Sequence, residues 1–163
     1  MRVTRNLLVP LLDRNKLTNS KVEGYDWVRI DKSTMFNLAM NPVEESFGYI
    51  DAANDYTEIT GYQPELPQEI IMETTNPLYA AMREFFMRFP VGSAAQVPFL
   101  LCMPNTADPS KIDGFLWEQA TVSTNEIVGD EATKLTFTVK LNGDKKDGNV
   151  TVADGTYTFE PAA

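Results

Sequence analysis

Between Met40 and Pro104, a chain that otherwise reads as strands contains one sharply punctuated helix. Asn76 suits the N-cap, and Pro77 at the first helical position gives up only an amide that has no partner there. Apolar residues follow at Leu78, Tyr79, Met82, Phe85, Phe86 and Phe89, the stripe of a single helical face, and Pro90 ends the pattern. A lone amphipathic helix must cover something apolar. Its neighbours are strand-like, so the spacing predicts a helix that packs on a sheet or plugs the open side of a small sandwich.

The strands around it are legible to different degrees. The cleanest lies at 132–141, where Leu135, Phe137, Val139 and Leu141 alternate with Lys134, Thr136, Thr138 and Lys140. Residues 96–103 form a nearly continuous apolar run suited to a buried strand, and 25–30, 33–40 and 115–124 also read as extended. Residues 42–51 alternate weakly, with Glu45, Phe47, Tyr49 and Asp51 on one face and Glu44, Ser46, Gly48 and Ile50 on the other. Residues 52–60 are polar and carry Asn54-Asp55, so a loop is expected there. Pro64 and Pro67 forbid a helix over 61–73, which favours an edge strand or a bulge. Asn142-Gly143-Asp144 starts a turn, and 150–160 returns as the last strand, with Asp154-Gly155 as a bulge or second turn. These segments predict about seven or eight strands and one flanking amphipathic helix: a mainly β fold (α+β), arranged as a β-sandwich or a partly open barrel. The length of 163 residues suits one domain spanning 1–163.

Composition narrows the chemistry. The sequence has no His and a single Cys, so neither a Ser/His/Asp nor a Cys/His nucleophile can be assembled, and an internal disulfide is excluded. Cys102 sits in the apolar run Phe99 to Met103 and reads as a small buried hydrophobe. Asp144 to Gly148 lacks the ligand spacing of a calcium loop and reads as a solvated turn. No glycine-rich phosphate loop is present, and paired carboxylates such as Glu44-Glu45 read as solvated surface, so neither an enzyme nor a cofactor is expected. The apolar run at 7–12 is short, broken by Pro10 and followed by Asp13-Arg14, which reads as a first strand or an ordered arm. No stretch approaches the roughly 18 apolar residues of a membrane span.

The net charge of −9 is unevenly spread: residues 1–24 carry five basic and two acidic side chains, and residues 25–75 carry two basic and ten acidic. That balance argues against ordinary nucleic-acid binding, which needs a basic footprint on phosphate. It suits a surface that must not hold nucleic acid, and equally suits acidic residues kept for solubility. Trp27, Tyr49 and Tyr62 lie in the acidic part near expected loops, which marks them as candidate interface anchors.

The runs Met40-Asn41-Pro42, Ser46 to Asp51 and Ile59-Thr60-Gly61-Tyr62-Gln63-Pro64-Glu65-Leu66-Pro67 resemble the major tail (tail tube) proteins of long-tailed bacterial viruses. So does the order that follows: one helix, the Val91-Gly92-Ser93-Ala94 turn and the strand Val97 to Met103. The resemblance implies a structural virion protein, assembled in the bacterial host cytoplasm, whose copies form hexameric rings that stack into a tube. DNA would pass through that tube without adhering. Partners would be other copies and the tape-measure, tail-tip and tail-terminator proteins. By the same resemblance the loop from Asp51 to Gly61, with Asn54, Asp55, Tyr56 and Glu58, would contact the next ring. Glu44, Glu45, Glu69 and Glu73 would face the lumen or its rim. The inner tube of a contractile bacteriocin or secretion-like device, and a stand-alone β-sandwich binding module, are the alternatives.

Overall fold

The computed structural model describes residues 2–31, 33, 36–129 and 131–162. The strands are β1 (Val9–Asp13), β2 (Trp27–Arg29), β3 (Pro42–Phe47), β4 (Tyr56–Tyr62), β5 (Glu65–Ile71), β6 (Phe99–Pro104), β7 (Ile112–Trp117), β8 (Thr121–Val128), β9 (Lys134–Lys140), β10 (Lys146–Ala153) and β11 (Thr156–Pro161). A one-turn helix α1 (Arg14–Leu17) follows β1, and α2 (Pro77–Met87) follows β5. The chain is mainly β, as expected, with more and shorter strands than the sequence suggested. The expected strand at 115–124 is two, β7 and β8, broken at 118–120, and the expected last strand is the β10–β11 hairpin turning at Asp154-Gly155. The loop expected at 52–60 is half strand, because Tyr56 to Thr60 belong to β4.

Among the described residues three sheets result. Six strands form the largest, in the order β11-β10-β7-β6-β1-β2; β5-β9-β8 form the second, and β3-β4 a separate two-stranded ribbon. The large sheet curls into a half-barrel, so far that Trp27 on one margin and Tyr157 on the other line the same groove. One of its faces, through Leu12, Val28, Phe99 and Leu101, meets the inward residues of the second sheet, Leu66, Ile70, Val122, Leu135, Phe137 and Val139. The alternation read at Leu135, Phe137 and Val139 therefore points as expected, and all three are buried.

The helix begins where the sequence indicates: Asn76 Oδ1 accepts from the Leu78 amide at 3.0 Å, and Pro77 follows. Leu78, Ala81, Met82, Phe85 and Phe86 are buried against the two sheets. Phe89 is not in that stripe. The helix stops at Met87, Arg88 caps it, and Phe89 takes a left-handed backbone (φ 50°) that leaves its ring 78% exposed.

Inside the curl, Leu11, Trp27, Leu100, Cys102, Leu116 and Val150 form a second, smaller core. Burial pushes the Cys102 thiol up to about 12, so it stays protonated and inert at neutral pH. Native protein at mildly alkaline pH is expected to resist iodoacetamide while chain unfolded in guanidinium is alkylated; comparable rates in both states would contradict this packing.

Candidate functional site

The least buried element is the ribbon. Every residue of β3 is exposed, and in β4 only Gly61 is partly covered. Its strands pair from Pro42↔Tyr62 to Phe47↔Tyr56, with a register shift between Val43 and Glu44. The root is tied to the body by Ala39 bridging Glu65, by the Gln63 amide donating to the Asn41 carbonyl at 3.1 Å, and by Asn41 Nδ2 donating to the Gln63 carbonyl at 3.1 Å. Along its length, Ser46 and Thr57 share a hydrogen bond of 3.2 Å, and Thr60 Oγ1 donates to the Val43 carbonyl at 3.2 Å.

Residues two apart on a strand share a face, so Phe47 and Tyr56 lie on the same side as the directly opposed Glu45 and Glu58. Tyr49 joins this cluster, its ring 6.4 Å from Phe47 and 6.5 Å from Tyr56. At the tip, the Ile50 side chain is fully exposed, and Ile59 and Tyr62 are also largely open. The ribbon and its tip (42–62) carry Glu44, Glu45, Asp51, Asp55 and Glu58 and no Lys or Arg. Two carboxylates placed directly across a strand pair repel one another, so an acidic, aromatic surface stands off the body without an internal counter-charge.

The residues singled out in the sequence distribute over this frame unevenly. Asp51, Asn54 and Asp55 lie in the ribbon's connection, while Tyr56, Glu58 and Gly61 are on β4 and not in a loop. Tyr49 and Tyr62 are exposed beside them. Trp27 is not: it is buried in the second core and stacks on Tyr25 with ring centres 4.9 Å apart. The four glutamates do not share one element. Glu44 and Glu45 are on the ribbon, Glu69 sits on β5 paired with Lys134 at 3.1 Å, and Glu73 follows β5 in the approach to α2.

Sequence reasoning missed a second exposed patch where α2 ends. Met87, Phe89 and Val91 are 55%, 78% and 79% exposed. Arg88 hydrogen-bonds the Leu17 carbonyl, which ties α1 to this corner, and its guanidinium lies 5.9 Å from the centre of the Phe85 ring. Only the run Phe89-Pro90 hinted at it, since Pro90 disfavours a helical residue before it.

The groove between the margins of the large sheet, about 400 Å³, is lined by Tyr25, Trp27, Leu116, Tyr157, Phe159 and Pro161 among others. Glu118 accepts from Lys146 Nζ at 2.8 Å and from Tyr25 Oη at 3.4 Å. Burial pushes the Tyr25 hydroxyl above its ordinary value, and the Glu118 charge adds to it. This arrangement pairs its own charges and holds a margin together. Among the described residues no group of three His, Cys, Asp or Glu side chains is placed to hold a metal ion, and no helix is long and apolar enough to cross a membrane.

No protein-family model and no curated protein matches the sequence. Solved structures do match the fold. A chain of the anti-feeding prophage cap, the AFP tube terminating cap, aligns with a TM-score of 0.50 at 10% identity, over 91% of this chain and 92% of that one. A chain of the PVC sheath/tube terminator in the extended state, from an extracellular contractile injection system, aligns with a TM-score of 0.50 at 5% identity, over 88% of this chain and 94% of that one. The half-barrel, the second sheet and the flanking helix together are thus a fold that this chain shares, over nearly its whole length, with those two chains.

Proposed function

We propose that the chain is a structural subunit of a phage-tail-like tube, in which copies form rings, six to a ring as the resemblance implies, and the rings stack. The observation that carries this reading is the β3–β4 ribbon. It projects from a well-packed body and exposes Phe47, Tyr49 and Tyr56 on one face and Ile59 on the other, with Ile50 at the tip and Tyr62 at the root, more apolar surface than one small element of a soluble monomer usually leaves uncovered. A ribbon that fits a different surface on the next copy makes a head-to-tail contact, and repeated head-to-tail contacts build rings or filaments. The fold shared with cap and terminator chains of contractile injection systems supports placement in a device of that kind. The net charge of −9 suits a channel that does not retain nucleic acid.

Negative-stain electron microscopy of concentrated protein tests the reading: rings or tubes with a central channel are expected. Removing the ribbon tip, residues 49–54, is expected to leave the melting temperature of the body nearly unchanged and to abolish stacking. Particles that stay strictly monomeric, alone and in the presence of a purified tail-tip complex, would overturn it.

A further inference from the structure

We propose that the receiving surface for the ribbon is the corner of a second copy where α1 meets the end of α2. This deepens the tube reading and rests on it. The two surfaces match in both character and charge. The ribbon offers exposed aromatic and aliphatic side chains with five carboxylates and no base. The corner offers Met87, Phe89 and Val91, exposed, with exposed Arg88 in the same run, Lys16 on α1 and Lys21 in the segment that follows α1. Arg88 holds the Leu17 carbonyl, so α1 with Lys16 lies against the end of α2. Over residues 14–23 and 83–91 the bases are Arg14, Lys16, Lys21, Arg83 and Arg88 and the acids are Glu23 and Glu84, with Arg14 already paired to Asp26 at 2.6 Å.

Two local features are uneconomical in the isolated chain and become useful in such a contact. Glu45 and Glu58 oppose each other directly across the ribbon and repel; ammonium groups from a neighbour convert that repulsion into attraction. Phe89 holds φ 50°, a conformation costly for a bulky side chain, and among the described non-glycine residues the others with positive φ are Asn or Asp. The cost keeps an aromatic ring turned outward, where the Phe47, Tyr49 and Tyr56 cluster can pack on it. A single-copy surface gains nothing from either.

The test places photo-crosslinking benzoylphenylalanine at position 50 of the full chain, irradiates concentrated protein and maps the inter-copy adducts by mass spectrometry. Adducts within 16–22 and 83–91 are expected. Adducts confined to another ribbon, adducts elsewhere, or no inter-copy adducts overturn the docking. A charge exchange reads the same contact independently. Glu45→Lys with Glu58→Lys, or Lys16→Glu with Lys21→Glu, is expected to weaken self-association about ten-fold or more, and all four changes together to restore most of it. No recovery in the fourfold variant, with its circular dichroism intact, overturns the pairing. Channelled rings with adducts elsewhere would remove this docking and leave the tube reading standing. Adducts at the corner in particles without a channel would do the reverse.

Discussion

Replacing Phe85 by alanine is expected to cost about 3–5 kcal/mol of folding stability, the usual range for emptying a buried aromatic site, whereas Phe89→Gly is expected to cost nothing. Both residues belong to the apolar stripe that the sequence shows, four positions apart. Phe85 is fully buried between the helix and both sheets, so its loss leaves a cavity that rigid strands on either side cannot collapse to fill. A domain of this kind has about 5–15 kcal/mol in all, so this one change consumes a large part of it. Phe89 contributes an exposed ring on a left-handed backbone, and glycine adopts that backbone without strain. Urea unfolding followed by circular dichroism separates the two. A midpoint for Phe89→Gly as depressed as that for Phe85→Ala would mean that the ring is part of the core.

Gly148→Ala is expected to be the more damaging of two neighbouring substitutions in the large sheet. Gly114 and Gly148 face each other across β7 and β10, and the ring of Phe159 from β11 lies over both. A methyl group on Gly114 would come within 2.5 Å of Val150 Cγ2 and 2.9 Å of Phe159 Cδ2, so the buried Val150 side chain and the Phe159 ring must shift, without a backbone atom in the way. On Gly148 it would meet the Glu160 carbonyl oxygen at 2.2 Å, and a backbone atom of a paired strand yields only if the strand moves. Overpacking costs about 1–3 kcal/mol where side chains relax; Gly114→Ala is expected within that range and Gly148→Ala at or above its top. Hydrogen exchange checks the mechanism. Gly148→Ala should release the β11 amides first, and uniform protection across β10 and β11 would contradict it.

How much of this was written in the sequence depends on how local the deciding physics is. The helix start at Asn76-Pro77 and the β9 alternation are set by neighbours along the chain, and both stand where the pattern put them. The end of α2 is not local. Phe86 is buried against the core, but the helix stops at Met87 and Phe89 takes a left-handed backbone, so the stripe breaks where the helix does. The ribbon was half legible. β3 alternates weakly because neither of its faces is buried, and Tyr56 to Thr60 read as loop because their polar composition belongs to a strand without a core. Trp27 was misplaced because size marks a residue as an anchor without saying of what, and the curl of the large sheet, which brings β11 around towards it, arises from long-range pairing. The separation of Glu44 and Glu45 from Glu69 and Glu73 likewise follows from β5 pairing with β9 and not with the ribbon.

The independence of the ribbon's two-stranded sheet bears on timing. An isolated pair of strands is marginal in water, and here neither face rests on the body, so a lone copy gains little from holding that shape. A neighbour that covers the ribbon supplies the missing stabilisation, and the conformational entropy is surrendered only at that moment. The first contact between copies is then the expensive one, while each later copy meets a surface already set. If copies stack as proposed, growth of the polymer is expected to show a lag that preformed ends abolish, and a pool of folded subunits would stay quiet until a template tells them where to begin.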